Sequence, residues 1–344
     1  MTWMLYGANG YTGELIAELA VRRGQRPVLA GRSAVKVAAV AERLGLEHVV
    51  FELADAAENL RDTAVVVHCA GPFSTTSRPV VDACLASGTH YVDITGEIDV
   101  FEAVASRDVE AKAAGVALVP GAGFDVVPTD CLAALLKAEL PGATHLDLAF
   151  LAGGGASPGT SKTSVEGSAS GGRARVDGEL RNVRIGHRRR SAAFRSGAHD
   201  VGSIPWGDVS TAYRSTGIPN ITTFTDVPGL TGQLQAIFGP LLRTSLVQRL
   251  GKAVAQRISG PNERARGKSR SEFWGEVSDV DGHTVSIAMT GPNGYDLTAD
   301  AVLRAVDLLL VGGVPAGAHT PSSAFGADFV RTLDGVTIDE PVRT

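Results

Sequence analysis

The chain is 344 residues long, 44% hydrophobic and 20% charged, a balance that suits a soluble globular protein of one large domain or two ordinary ones. Its 37 acidic and 32 basic residues leave a net charge of -5 spread along the sequence, so no nucleic acid partner is expected. No apolar run reaches the length of a membrane span, and the first residues read as a strand rather than a cleavable leader, which points to the cytoplasm.

Over the first 140 residues, short β-rich runs alternate with helical ones. "TWMLYGA" is followed by a helix over Thr12 to Arg23, "RPVLAGR" by a helix over Ala34 to Leu44, and "EHVVFEL" closes a βαβαβ half. The series continues through "AVVVHCAG", a helix over Ser77 to Ala86, "THYVDIT", a helix over Val100 to Ala114, and "VALVPGAG". Six strands of mostly unalternated Val, Leu, Ile and Ala predict parallel strands covered by helices on both faces. Right-handed crossovers then give the order 3-2-1-4-5-6, a doubly wound Rossmann α/β sheet.

After Leu140 the pattern changes. "HLDLAFLAGG" reads as a strand leaving the first domain, and Arg173 to Ile221 as short strands mixed with basic runs. The run Arg188 to Arg190 reads as a solvated edge, with an anionic substrate as the other use. Gln233 to Ile258 is helical with a break at Gly239-Pro240. "SEFWGEVSDVDGHTVSIAMTG" is a hairpin turning at Asp281-Gly282, and Ala299 to Val311 is an amphipathic helix before a Gly/Pro-rich tail. An apolar sheet in this second domain offers a face for a homodimer.

The glycines stand out, 41 of them against a usual share of about 7%. Gly7, Gly10 and Gly13 close the first strand and open the first helix inside a βαβ unit, the context that gives a glycine fingerprint its meaning. Gly7 permits the tight turn, Gly10 a close approach of backbone to a pyrophosphate, and Gly13 close packing of the helix, whose N-terminus supplies partial positive charge. "LAGRS" ends the second strand. A basic residue here accommodates the 2′-phosphate of NADP where an acidic one would hold the ribose of NAD, so Arg32, with Ser33 as a further donor, favours NADP(H). The other reading of Arg32 is an exposed strand cap. Asp55 after the third strand either accepts from the adenine amino group or caps the next helix.

Ligands in open α/β sheets lie at the carboxyl ends of the strands. Ala70, Gly71, Pro72 and Phe73 after the fourth strand are therefore expected to border the nicotinamide ribose. Asp93, Thr95, Gly96 and Glu97 after the fifth either face the same cleft or, for Thr95 and Glu97, cap a helix. "PGAGFDVVPTD" ends the sixth strand, with Phe124 and Asp125 in a loop at the substrate side and Pro128 in the first turn of the following helix. Cys69, Cys84 and Cys131 lie in apolar contexts without C-x-x-C spacing and read as buried free thiols. No His, Asp or Glu spacing suggests a metal, and His283 lies beside the hairpin turn.

Carrying "GANGYTG", "AGRS", "CAGPF", "YVDITGE" and "PGAGFDVVPTD" in this order, the chain resembles the saccharopine dehydrogenase-like oxidoreductases, a group that includes the bacterial trans-acting enoyl reductases. The resemblance covers about residues 3 to 131. "GGGASPGTSKTS" looks like the segment that opens the family's second domain, and "GYDLTADAVLRAVDLLL" with "GGVPAGAHTPSSAFG" resembles the family's end. It implies a dinucleotide domain over 1–131 and a second α+β substrate and dimerisation domain over 132–295, inserted before a C-terminal helix. That helix and its tail, 296–344, would pack back on the first domain. It also implies Gly7, Ala8, Asn9, Gly10, Tyr11, Thr12 and Gly13 on the pyrophosphate, Arg32 and Ser33 on the adenosine phosphate, and Gly71, Pro72 and Phe73 near the nicotinamide.

The sequence therefore points to an NADPH-dependent reductase of a C=C (enoyl) or C=N bond in a small or medium-sized metabolite, with "SPGTSKT" roofing the cleft. An amino-acid-linked dehydrogenase and a non-catalytic NADP sensor stand as alternatives. Hydride transfer needs geometry, a dry pocket and a proton donor. The Tyr-x-x-x-Lys pair of short-chain dehydrogenases is absent, because the residues four after the five tyrosines are Gly10, Leu15, Thr95, Gly217 and Ala299. The candidates for the donor are Asp125, Lys162 and Tyr213.

Overall fold

The computed structural model describes residues 2–153, 171–227 and 260–344. Lys162, the "SPGTSKT" segment and the helix expected over 233–258 lie outside the described residues. The chain divides into two compact units, Met1–Val127 with Tyr295–Gly326, and Pro128–Gly294 with Ala327–Thr344.

The first unit carries β1 (Trp3–Tyr6), β2 (Val28–Gly31), β3 (His48–Val50), β4 (Val65–His68), β5 (His90–Asp93) and β6 (Ala117–Val119). They pair in parallel in the order β3-β2-β1-β4-β5-β6, and a two-residue strand, Gly317–Ala318, extends the sheet beyond β6. This is the doubly wound sheet expected. All four residues of β1 and of β4 are buried, as parallel strands covered on both faces require. Helix α1 (Tyr11–Arg22) follows β1 and α2 (Ala34–Leu44) follows β2; α2 turns Val37, Val40 and Ala41 inward and ends on Gly45 at φ 65°. The short α3 (Ala56–Asn59) follows β3.

In this unit the helix after β4 and the C-terminal helix, Gly294–Leu310 against an expected Ala299 to Val311, start earlier than their sequence reading, and one expected helix is split. Helix α4 (Phe73–Ser87) starts four residues earlier than expected, through Ser74, Thr75 and Thr76, because its first backbone N–H groups are capped by the carboxylate of Glu97 from beyond the next strand. The single helix expected over Val100 to Ala114 is two, α5 (Ile98–Ala105) and α6 (Asp108–Ala114). The break falls at Arg107, whose guanidinium bonds Asp82 of α4 at 2.6 Å and Glu110 at 2.6 and 2.7 Å. The long helix Gly294–Leu310 belongs to this unit from Tyr295 onward. Its Asp300 accepts from Arg23 at 2.5 Å and Arg304 at 2.8 Å, and its Asp307 from Gln25 at 2.7 Å.

The second unit opens with α7 (Val127–Glu139), with Pro128 in its first turn. Its sheet contains β7 (His145–Ala152), β8 (Gly172–Val176), β9 (Glu179–Val183), β10 (Arg189–Phe194), β11 (Gly197–Ile204), β12 (Asn220–Thr225), β13 (Arg270–Ser278) and β14 (Thr284–Pro292). Their order is β10-β11-β12-β7-β13-β14, with β8 on β12 and β9 on β8; β7 and β12 run parallel. Helix α7 packs one face. A side chain at Gly275 would meet Leu136 at 2.7 Å and Leu132 at 3.2 Å.

Within the stretch read as strands lies a helix, α8 (Asp208–Thr216). Its buried face is largely Asp208, Ser210, Thr211 and Thr216, so hydrophobic period could not reveal it. Of the arginines read as a solvated edge, Arg188 and Arg189 are exposed at the edge strand β10, as read, and Arg190 is half-buried, yet two of the three are tied to carboxylates. Arg188 clamps both carboxylate oxygens of Asp147 at 2.8 Å; Arg190 bonds Asp147 at 2.6 Å and Glu276 at 2.8 Å while its guanidinium lies 4.3 Å above the Trp274 ring. Around them Ala149, Ala192, Phe194, Val201, Phe224 and Trp274 form a buried cluster. The tail is also a correction. Strands Thr337–Ile338 and Val342–Arg343 pair with β14, which places 327–344 in the second unit rather than on the first.

Cys84 and Cys131 are buried and Cys69 half-buried, all three free, with burial pushing each thiol up. His68 at the end of β4 is fully buried among the rings of Tyr6, Phe73 and Tyr91. Burial lowers its imidazole to about 3, so it is neutral in the fold. Below the ordinary value near 6.5 the unfolded chain binds a proton that the folded chain refuses, and stability is lost as pH falls through that window. Between pH 7 and pH 5 the wild type should lose about 2 kcal/mol more unfolding free energy than His68→Leu; parallel urea-denaturation curves at the two pH values would contradict the buried neutral imidazole. In α1, a Cβ at Gly13 would lie 2.5 Å from the carbonyl oxygen of Gly7. Gly13→Ala should therefore destabilise by about 1–3 kcal/mol despite the better helix propensity of alanine, measured as a lower urea midpoint.

Candidate cofactor site

The residues singled out in the first unit gather at the carboxyl edge of its sheet, in the turns after β1, β2, β4, β5 and β6. The turn after β1 is compressed from three sides. Gly7 has φ 86°, and a Cβ there would lie 2.8 Å from the backbone of Cys69 and Ala70 at the end of β4. The N–H groups of Gly7 and Ala8 donate to the Ala30 carbonyl of β2 at 2.8 and 3.2 Å. From above, α1 presses Gly13 onto Gly7 and Ala8. The Asn9 side chain reaches toward Gly31, where a Cβ would be 3.2 Å from Oδ1.

Gly10 is the N-cap of α1 in extended conformation, without a side-chain cap. Its own N–H is spent on the Gly7 carbonyl at 3.0 Å. Its contribution is the missing side chain, which leaves the first turn of α1 approachable, and the first N–H groups of a helix have no intrahelical acceptor. Tyr11 and Thr12 are half-buried, and the Tyr11 ring stands edge-on to Tyr295 at 4.8 Å. Glu14, the acidic residue of that turn, is drawn aside by Arg43 of α2 at 3.0 Å.

Arg32 is the first residue past β2 and is exposed; Ser33 is the N-cap of α2, yet its hydroxyl makes no cap bond. A guanidinium, a hydroxyl and a helix N-terminus thus adjoin one another. Asp55 is exposed at the start of α3, and its side chain makes no cap bond either. A glycine turn at a helix N-terminus, open at Gly10 and flanked by a cation, fits a phosphorylated dinucleotide.

The turns after β4, β5 and β6 are joined by carboxylates. Ala70 and Pro72 are half-buried and Gly71 exposed, whereas the Phe73 ring is turned into the core, 5.4 Å from the His68 ring, so Phe73 offers the site its backbone. The Thr76 hydroxyl donates to the Ala70 carbonyl at 2.7 Å and therefore accepts from His68 Nε2 at 3.0 Å. The Glu97 carboxylate accepts from the N–H groups of Phe73 at 3.0 Å and Ser74 at 2.7 Å. Thr95 Oγ1 accepts from the N–H of Glu97 at 3.1 Å.

Asp93 is fully buried, not facing a cleft. It accepts from the Tyr91 hydroxyl at 2.6 Å, the Thr95 N–H at 3.0 Å and the Gly121 N–H at 2.7 Å. Burial pushes its carboxyl up to about 6, opposed by those three donors. Gly96 is what allows Asp125 its place, since a Cβ at 96 would be 2.6 Å from the Asp125 carboxylate. Asp125 is half-buried as a residue, and burial of its carboxyl raises it to about 7. Its loop is anchored by Thr298, whose hydroxyl accepts from the Phe124 N–H at 3.0 Å. A carboxyl raised toward neutrality by burial, on the same sheet edge as a dinucleotide-type turn, can give a proton to a reacting atom.

Of the other donor candidates, one lies in the second unit and one outside the described residues. Tyr213 belongs to the second unit, on α8, where the Arg175 guanidinium covers its ring at 4.1 Å while bonding the carbonyls of Val209 and Gly178. Lys162 is outside the described residues. Among those residues the side chains of Asp279, Asp281 and His283 come within 4.8 Å of one another at the β13–β14 turn; Asp279 there accepts from the N–H groups of Asp281 and His283 and pairs with the His283 ring, bonds that shape the turn itself. No helix among the described residues is long and apolar enough to cross a membrane.

Comparison with known proteins agrees with this geometry. Residues 3–119 match the saccharopine dehydrogenase NADP binding domain. A putative trans-acting enoyl reductase of Mycobacterium tuberculosis is 38% identical over 138 residues, and a human saccharopine dehydrogenase-like oxidoreductase 29% identical over 150. Each match takes in 37% of this chain and only 33% and 35% of the respective relative. The fold extends further. The saccharopine dehydrogenase (L-Glu forming) of Saccharomyces cerevisiae superposes with a TM-score of 0.66 at 13% identity over 99% of both chains, and an amine dehydrogenase of Mycobacterium smegmatis with 0.53 at 14% over 94% and 95%. Residues 3–119, with their glycine turn and Arg32, are thus similar to a saccharopine dehydrogenase NADP-binding domain, while the matched relatives are each covered over only about a third of their length.

Proposed function

We propose that the protein is an NADPH-dependent reductase that adds hydrogen across an activated C=C or C=N bond of a small or medium-sized metabolite. The observation that carries this reading is Asp125, a carboxyl raised to about 7 by burial on the same sheet edge as the glycine turn. The relatives named trans-acting enoyl reductases favour the C=C form. Bound NADPH would supply the hydride. The chain's own part is to hold and to protonate. The α1 N-terminus and Gly10 turn receive the pyrophosphate, Arg32 and Ser33 the 2′-phosphate, and the backbone of Gly71 to Phe73 borders the nicotinamide. With hydride added at one end of the double bond, Asp125 would give its proton to the other and be left as a carboxylate, to be reprotonated before the next turnover.

The proton donor must be protonated to act. Rate should therefore be full below about pH 7 and fall above it, following the raised carboxyl. With an acceptor drawn from an enoyl and imine panel, Asp125→Asn should lose about 100-fold in rate together with that alkaline decline. A variant that keeps the wild-type pH–rate profile would remove Asp125 from the chemistry. Arg32→Ala should weaken NADPH binding by about 1.5–3 kcal/mol and leave NADH nearly unchanged, read by calorimetry. Equal losses for the two coenzymes would refute the phosphate assignment.

A further inference from the structure

Three turns make up the half of the sheet edge that the proposed function gives to the nicotinamide, and they are not independent loops. Glu97, after β5, holds the N–H groups of Phe73 and Ser74 and so fastens the turn after β4. Thr95 relays within the β5 turn by accepting the N–H of Glu97. Asp93, at the end of β5, holds the N–H of Thr95 and, across to the turn after β6, that of Gly121; its backbone carbonyl takes the next N–H, Ala122, at 2.8 Å. The chain of bonds runs unbroken from Phe73 to Ala122, and Thr298 anchors Phe124 beyond it.

Two features mark this as more than local capping. Glu97 satisfies the start of a helix lying 23 and 24 residues earlier in the chain, so its carboxylate fills the place where an anion would otherwise bind α4. That leaves α1 and α2 to receive phosphates. Asp93 is an acceptor toward a phenol and two amides at once while fully buried, and no smaller or apolar residue could hold both turns.

We propose that Glu97 and Asp93 are positioning residues that lock the turns after β4, β5 and β6 into one rigid wall for the nicotinamide half of the cofactor, acting through Gly71 to Phe73 on one side and the Asp125 loop on the other. This rests on the cofactor reading above. Neither residue takes part in holding the adenosine phosphate, and the wall's effect is confined to one end of the dinucleotide.

The test compares two ligands by calorimetry. NADPH spans both halves of the site, whereas 2′,5′-ADP carries only the adenosine and its phosphates. Glu97→Ala should weaken NADPH by about tenfold, Glu97→Gln by less, and both should bind 2′,5′-ADP within about twofold of the wild type. Asp93→Ala removes the acceptor of both amides and should show the same selective loss. Urea midpoints report whether each variant is folded, and Glu97→Gln carries the test if the buried site at 93 does not tolerate change. Glu110→Ala, which removes an exposed partner of Arg107 on α6, should alter neither affinity. Selective loss of NADPH supports the wall. Unchanged NADPH affinity, or equal losses for both ligands in a folded variant, overturns it while leaving the cofactor assignment intact. A wild type that binds neither ligand overturns the cofactor assignment and the wall with it.

Discussion

The turn after β1 lies directly against the end of β4, where the place of a Gly7 Cβ is only 2.8 Å from backbone atoms of Cys69 and Ala70. Everything at the sheet edge depends on that contact. It can exist only with glycine at 7, in a left-handed conformation, and it brings the N-terminus of α1 against the strand beside it. Gly13 completes the arrangement by letting α1 rest directly on the Gly7 carbonyl. The partial charge of a helix end is thereby delivered to a fixed point on a backbone surface free of side chains, and electrostatics and steric access are set by the same absent atoms.

Across the switch point the construction is of the opposite kind. There, charged and polar side chains hold the turns in place: Glu97 on α4, Asp93 between β5 and β6, and Thr76 between His68 and Ala70. Carboxylates that accept several backbone N–H groups are strong, directional ties. Asp125 contrasts with them. Its carboxyl is raised by burial alone, whereas the burial of Asp93 is opposed by its donors.

The second unit uses charge in a third way. Asp147 is buried with two arginines on it, one shared with Glu276 and stacked on Trp274. Such a cluster adds little net stability over an apolar one but specifies which strands face each other, because a displaced partner would leave a charge buried alone. Together with the tail strands on β14, it makes the sheet a closed assembly of distant segments. Sequence period was least informative here, since α8 hides its inner face in Ser, Thr and Asp.

The amino-acid order by itself determined the parallel sheet, its strand order and the glycine turn, because each depends on local period, on turn chemistry or on a missing Cβ, properties written within a few neighbouring residues. It likewise marked Arg32 and Asp125 by their place after a strand. Only the tertiary structure decided what Asp93, Glu97 and His68 do, where α4 begins, and that Arg188 and Arg190 share Asp147. Those outcomes depend on partners 8 to 43 residues away in the chain. A hydrogen bond or ion pair across such a separation leaves no periodic trace in the sequence and exists only once the backbone has brought its two ends together.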